Sequence, residues 1–386
     1  MKLPWTLSAV MVATHLLAAA SNANKLTSNL NETPSLLADD RIVPTDEVIK
    51  KRLSKIYLPF EAKYTKEVKT YIHRYVTAGI NDAEAMLGRS SLYFPIFEHY
   101  LNIYGLPQEL KFLPMVESTL RPDVNSGAGA VGLWQFVPIT ARHFNLTIND
   151  YIDERMDPYK STEAAVKMLS YLYDQFGDWP LALAAYNCGP KRIKTILAKA
   201  HCKNYWDIAS LLPTETQRYV PAYIAAAYLV NHFNDHDLSP KYPSYELQDT
   251  RTFKVYQTVR FSDIARACGI KTSVIRKLNP GFIRQFIPAQ SEGHYLILPS
   301  RAESSFRDYM AERFKIKSAQ PVIDDLRNIF RTSYTVIPGD KIESLAILFR
   351  CSVEDIMEWN QLRQQEVVVN QSLVLYLNRL NGKAKP

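Results

Sequence analysis

The sequence predicts an α+β multidomain chain: one all-α domain followed by two small strand–helix–helix–strand modules. Three observations predict it. At 386 residues the chain is long enough for two or three domains. Between 61 and 240 apolar residues recur at helical spacing, and strand signals are nearly absent. Beyond Pro240 and Pro243 the sequence aligns with itself at an offset of 81 residues. Hydrophobic residues make up 47% and charged residues 22%, so each part can bury a core and bulk disorder is excluded.

The first 23 residues read as a secretory signal peptide. Lys2 precedes an apolar stretch from Leu3 to Ala20, and Ser21-Asn22-Ala23 supplies a small-x-small end with cleavage after Ala23. An uncleaved anchor is the other reading, but Pro4, Thr14 and His15 make a poor bilayer span. No cysteine occurs in the first 180 residues, so no lipid-modified N-terminal cysteine is expected. The next best apolar run, Val220 to Val230, is too short to span. The mature protein is expected to be exported to the periplasm or cell envelope, soluble, monomeric and without a stable membrane anchor.

Residues 24–60 are rich in Ser, Asn, Thr and Asp, with Pro34, Pro44 and Pro59 interrupting, and read as a linker. The helical domain, 61–240, is well illustrated by one segment. Asp157 caps it and Pro158 takes the first turn. Ala165, Met168, Leu169, Leu172, Tyr173 and Phe176 follow on one face, and Gly177 stops it.

The repeat aligns Phe253 with Tyr334, Val255 with Val336, Ile264-Ala265 with Leu345-Ala346, Ile275 with Ile356 and Asn279 with Asn360. Each copy opens with a short alternating strand and closes with an apolar one, Tyr295–Leu298 and Leu373–Tyr376. The modules are set at 252–299 and 332–378, with a charged helical connector at 300–331.

Lys+Arg number 46 against Asp+Glu 39, a net charge of +7 that is spread along the chain; Lys50-Lys51-Arg52 is the densest cluster. A nucleic-acid binder concentrates its charge, so no nucleic-acid partner is expected. A weakly basic surface equally suits a polyanionic matrix such as a cell wall. Of the four cysteines, Cys188 and Cys202 are close enough in sequence to pair, while Cys268 and Cys351 read as buried thiols. No C-x-x-C occurs, and His232 and His236 lack the glutamate of a zinc motif, so no metal or other cofactor is expected.

Four segments of the helical domain put polar or glycine-rich residues among apolar ones. In Leu113-Pro114-Met115-Val116-Glu117-Ser118 a lone carboxylate follows an apolar run. Burial would raise its pKa, as a general acid requires; a glutamate at an exposed helix end is the plainer reading of this segment alone. Ser126 to Phe136 holds Gly127, Gly129 and Gly132, a backbone that a ligand can approach closely, with Trp134 and Gln135 offering an apolar face and an amide. It is not a phosphate-binding fingerprint, since strand context and lysine are missing. In Ala184-Ala185-Tyr186-Asn187-Cys188-Gly189-Pro190, Tyr186 and Asn187 stand just before a Gly-Pro stop. In Glu215-Thr216-Gln217-Arg218-Tyr219-Val220 the tyrosine hydroxyl can meet a carboxylate.

Together, in this order, the four segments resemble the family 1 lytic transglycosylases, which share the lysozyme-like fold of goose-type lysozyme. The resemblance puts the catalytic glutamate of that family on Glu117, followed by Ser118, and its tyrosine on Tyr219. It puts the Gly-Leu-Met-Gln motif on Gly132-Leu133-Trp134-Gln135 and the Ala-Tyr-Asn-Ala-Gly motif on Ala185-Tyr186-Asn187-Cys188-Gly189. Ser118, Ser126, Gly132, Trp134, Gln135, Tyr186 and Asn187 are thereby expected to bind substrate. Trp134, the stretch at 151–158 and the second module resemble the membrane-bound type D branch, although the lipid-anchor cysteine is missing. The second module, with Gly339-Asp340, Leu345-Ala346 and Trp359-Asn360, resembles the LysM module, which binds glycans containing N-acetylglucosamine. The first has Thr258-Val259 where that Gly-Asp turn would begin.

The resemblance implies a peptidoglycan glycan strand as substrate and a single acid. Glu117 would protonate the oxygen between N-acetylmuramic acid and N-acetylglucosamine while the acetamido group stabilises the cation. The resulting carboxylate would take the proton of the C6 hydroxyl, leaving a 1,6-anhydro sugar. A muramidase- or chitinase-type hydrolase on the same fold would need a second carboxylate, with Asp123 and Glu154 nearest in sequence. A non-catalytic wall-binding protein is the reading from another class, and an intact Glu117 among its partner motifs argues against it.

Overall fold

The computed structural model describes residues 44–315, 329–336, 339–349, 351–360, 362–369 and 371–378. The expected signal peptide, 1–23, lies outside the described residues. Two compact units divide between Tyr242 and Pro243. Among the described residues no helix is long and apolar enough to cross a membrane.

The first unit is helical. Its main elements are α1 (Asp46–Leu53), α2 (Lys66–Val76), α3 (Ile80–Ile103), α4 (Leu113–Ser118), α5 (Pro158–Phe176), α6 (Trp179–Cys188), α7 (Pro190–Ala200) and α8 (Thr214–His232). Helix α8 is the axis: every residue from Val220 to Leu229 is buried, because it packs against α2, α4 and α6 on different sides. A helix apolar all round can be stable only there. Ala222, Ala225, Ala226 and Ala227 let its neighbours come close. The Asp157 side chain accepts from the Tyr159 and Lys160 amides at 2.8 and 3.0 Å, and Gly177 ends α5 at φ 61°, as the sequence indicates. Tyr173 departs from the expected apolar face: it is exposed and stacks on Trp179 at 4.3 Å.

Helix α1 corrects the linker assignment for part of 24–60. Ile49 and Leu53, one helical turn apart, are buried, and Arg52 donates to the Tyr228 hydroxyl at 3.2 Å. The polar composition concealed this two-residue apolar stripe. His232 and His236 are held by protein groups: His232 Nδ1 lies 2.7 Å from Asp235 Oδ2, and His236 Nε2 lies 2.9 Å from the Tyr228 hydroxyl.

In the first module β1 (Thr250–Val255) pairs antiparallel with β2 (His294–Pro299), flanking α9 (Phe261–Cys268) and α10 (Thr272–Leu278). In the second, β3 (Ile329–Thr335) pairs antiparallel with β4 (Ser372–Asn378). The helices α12 (Ile342–Phe349) and α13 (Val353–Asn360) lie between those strands in sequence. The aligned pairs Val255/Val336, Ile264/Leu345 and Ile275/Ile356 are all buried in the two cores. Asn279 and Asn360 do the same work in each. Asn279 donates to Ile275 O (2.8 Å) and Ile297 O (2.7 Å) and accepts from Ile297 N (2.8 Å). Asn360 donates to Ile356 O and Val374 O at 2.8 Å and accepts from Val374 N at 2.6 Å.

The expected connector, 300–331, is corrected at both ends. Its helix, α11 (Glu303–Phe314), contributes Phe306 and Met310 to the first module's core, with Phe306 edge-on to Phe253 at 4.8 Å. The four-residue spacing of Phe306 and Met310 is an apolar face that the surrounding charges masked. Strand β3 already begins at Ile329. The turns also differ: Tyr334 donates to Asp340 Oδ2 at 2.8 Å in the second module, whereas Thr258 Oγ1 accepts from Ala289 N at 3.1 Å in the first.

Candidate active site

Glu117 lies at the end of α4, a six-residue helix that starts on Leu113-Pro114. Thr119 and Leu120 follow at φ 51° and 59°, a left-handed turn that stops the helix directly after Ser118. Arg89 Nε holds this turn through Thr119 O at 2.9 Å. The result is a carboxylate only 4% exposed. The Tyr219 hydroxyl, reaching from α8, donates to Glu117 Oε1.

Burial pushes the Glu117 pKa up to about 8. The hydrogen bond from Tyr219 opposes the rise, and the nearby Glu215 carboxylate adds to it. Desolvation dominates because a carboxylate stripped of water is disfavoured more than one hydroxyl can restore. Tyr219 and Tyr186 are themselves pushed well above the usual tyrosine range by burial, with the Glu117 charge adding to the effect, so both remain hydroxyl donors. The site therefore holds a protonated carboxylic acid at neutral pH.

The glycine-rich segment folds back on itself beside this acid. Ser126 Oγ accepts from Ala130 N at 2.9 Å, and Ser126 N donates to Ala130 O at 2.8 Å. At Gly132 (φ 88°) a Cβ would lie 1.9 Å from Arg155 O, so only glycine fits. Gln135, at φ 50°, turns its amide onto Gly132 O at 2.8 Å. Ser118 Oγ donates to Leu133 O at 2.9 Å, tying this segment to α4. Tyr186 donates to Trp134 O at 2.8 Å and ties it to α6.

Trp134 corrects the sequence reading. Its side chain is fully buried, its indole donates to Thr162 Oγ1 at 2.9 Å, and Phe97 packs edge-on at 5.1 Å. Its carbonyl serves the site while its ring serves the core. A motif shows which residues are present but not which way a ring points.

The stretch at 151–158 also has a physical role. Arg155 pairs with Asp153 through Nε (2.9 Å) and Nη2 (2.7 Å), both residues being buried. Its Nη1 donates to Gly129 O (2.8 Å) and Phe136 O (3.1 Å). A guanidinium bonded through four of its five N–H groups thus pins both sides of the glycine-rich turn.

Asn187 Oδ1 accepts from Thr216 Oγ1 at 2.7 Å, which brings the third and fourth segments together. Cys188 and Cys202 are free thiols, and burial raises the Cys188 pKa. Neither carboxylate considered for a hydrolase is among the groups that act on Glu117. Asp123 is exposed and lies 3.7 Å from Arg121, and Glu154 Oε2 accepts from Thr147 N at 2.7 Å. The carboxylate that acts on Glu117 is Glu215, one turn before Tyr219 on α8. The four-residue spacing of Glu215 and Tyr219 was the available signal.

Comparison with known proteins agrees with this architecture. Residues 95–209 match the transglycosylase SLT domain, 249–312 the LysM-like domain of lytic transglycosylase MltD, and 334–375 the LysM domain. The 249–312 match takes in most of α11, which packs into the first module's core. The membrane-bound lytic murein transglycosylase D of Escherichia coli (strain K12) is 31% identical over 277 residues. That alignment covers 70% of this chain and 60% of the relative, so the chain spans well under the relative's whole length. The soluble lytic murein transglycosylase of the same strain is 32% identical over 114 residues, covering 28% of this chain and 18% of that protein. Among solved structures, the 70 kDa soluble lytic transglycosylase of Escherichia coli aligns with 24% identity and a TM-score of 0.33. That alignment covers 44% of this chain and 31% of the other. The chain carries a helical transglycosylase SLT domain followed by two LysM-type βααβ modules.

Proposed function

We propose that this chain is an exported peptidoglycan lytic transglycosylase of the bacterial envelope. It cleaves the β-1,4 bond between N-acetylmuramic acid and N-acetylglucosamine without water. The observation that carries this reading is the buried Glu117, protonated at neutral pH and hydrogen-bonded by Tyr219. As an acid it gives its proton to the glycosidic oxygen; as the resulting carboxylate it receives the proton of the C6 hydroxyl. Tyr219 orients one carboxyl oxygen throughout. Ser118, Ser126, Gly132, Gln135 and Tyr186 shape the backbone beside the acid, and Asn187 faces substrate. Asp123 is exposed beside Arg121 and Glu154 accepts from the Thr147 amide, so the carboxylate whose role separates this reading from hydrolysis is Glu215.

Mass spectrometry of digested cell wall tests the reading. Muropeptides ending in 1,6-anhydro sugars are expected, and reducing ends alone would establish a hydrolase. The LysM-type second module is read as a glycan tether. Removing 334–386 should weaken retention on insoluble wall and leave cleavage of soluble glycan intact, because a tether raises effective concentration and not chemical rate. Equal wall retention would reduce the module to a spacer.

A further inference from the structure

Two polar atoms near the acid are buried and have no hydrogen-bond partner among the described residues: Asn187 Nδ2 and Glu215 Oε1. Asn187 is only 7% exposed, and its carbonyl is already taken by Thr216. The two side chains are electrostatic neighbours. Burial raises the Glu215 pKa, and a weak hydrogen-bonding contact from the Asn187 side chain partly offsets that rise. Yet they make no mutual hydrogen bond of ordinary geometry that would satisfy these two atoms. One is a donor and the other an acceptor. Leaving both unpaired in a protein interior costs about 1–3 kcal/mol each, which a ligand carrying both capacities can relieve.

We propose that Asn187 and Glu215 together hold the C6 hydroxyl of the muramic acid ring, the group that attacks C1; this rests on the transglycosylase reading above. A hydroxyl is the group that accepts from an amide and donates to a carboxylate at the same time. In a wall strand the muramic acid ring has one free hydroxyl. Its C1 and C4 oxygens are in glycosidic bonds, C2 carries the acetamido group and C3 the lactyl ether. While Glu117 is still an acid, its proton is committed to the leaving oxygen, so the hydroxyl hydrogen needs another acceptor. Glu215 supplies one from the same face of α8 as Tyr219, one turn away. The C1–O bond to N-acetylglucosamine then breaks, and its oxygen keeps the proton from Glu117. The C6 oxygen bonds to C1, and its hydrogen passes from Glu215's hydrogen bond to the new Glu117 carboxylate. No water or other reagent is consumed.

The test is the product ratio, 1,6-anhydro ends against reducing ends, from full-length protein acting on purified wall. Glu215→Leu removes the acceptor, Glu215→Asp withdraws it by one methylene while keeping the charge, and Glu215→Gln keeps an acceptor in place. The leucine and aspartate variants should lose about 10–100-fold in kcat with little change in KM, the size of one hydrogen bond to a charged group. Their reducing-end fraction should rise as water competes with a loosened hydroxyl, and the glutamine variant should restore the wild-type ratio. If the leucine variant does not fold, the aspartate variant alone decides. An unchanged product ratio in the aspartate variant overturns the assignment of Glu215. Reducing ends alone from the unsubstituted protein would instead overturn the transglycosylase reading itself.

Discussion

Asn279 and Asn360 in the two modules, and Glu117, Asn187 and Glu215 in the helical domain, are all buried or partly buried polar side chains, and they are treated in opposite ways. Each module asparagine makes three hydrogen bonds to backbone and closes the last strand onto the second helix. The helical domain holds a carboxyl group against the tendency of burial to exclude it, and keeps a donor and an acceptor unpaired beside it. The difference teaches how to tell the two uses apart. At these positions the satisfied asparagines fix a fold, and the unsatisfied pair beside Glu117 is left for a ligand.

Substitutions should separate the two uses. Glu117→Gln keeps volume and an acceptor for Tyr219 but cannot deliver a proton. Wall cleavage should fall by more than the roughly 10²–10⁴-fold of a single proton-transfer role, since acid and base are lost together. Stability should rise. With its folded pKa lifted above the unfolded value, Glu117 binds its proton more tightly in the folded state, so its effect on stability worsens as pH rises from the ordinary glutamate range through about 8. The melting-temperature gain of Glu117→Gln should therefore be larger at pH 8 than at pH 5. Equal gains at both would show an unshifted carboxyl.

Arg155→Met tests the satisfied kind inside the helical domain. It strands the buried Asp153 charge and takes a donor from the carbonyls of Gly129 and Phe136, and denaturant unfolding should report a loss of about 3–5 kcal/mol. Asn279→Ala should cost the first module about 2–4 kcal/mol by leaving Ile297 N and O unpaired. Cleavage of soluble glycan should be untouched. A fall in kcat on soluble substrate would break the distinction between the two uses.

Much of this was legible in the sequence. The caps of α5 followed from Asp157, Pro158 and Gly177, since capping is local chemistry. The repeat was readable because Ile275 and Ile356 fill equivalent core positions whose spacing in the chain is fixed by the fold. Glu117 and Tyr219 were legible as a likeness to known motifs, but their meeting across the fold was not, because no periodicity encodes a contact between α4 and α8. Three features escaped for physical reasons. Helix α1 carries its apolar stripe on two residues in a polar setting. Trp134 turns inward because its indole finds Thr162. Glu215 was passed over because proximity to Glu117, and not distance along the chain, determines which second carboxylate matters.

The central claim is that the helical domain keeps one carboxylic acid protonated at neutral pH. The direct measurement is a carbon-13 NMR titration of the Glu117 carboxyl, assigned by its loss in Glu117→Gln and repeated in Tyr219→Phe. The account predicts a midpoint near 8 in the unsubstituted protein, and a higher one in Tyr219→Phe, because the tyrosine hydrogen bond favours the carboxylate. A Glu117 that titrates in the ordinary carboxylate range, whether or not Tyr219 is present, would contradict it.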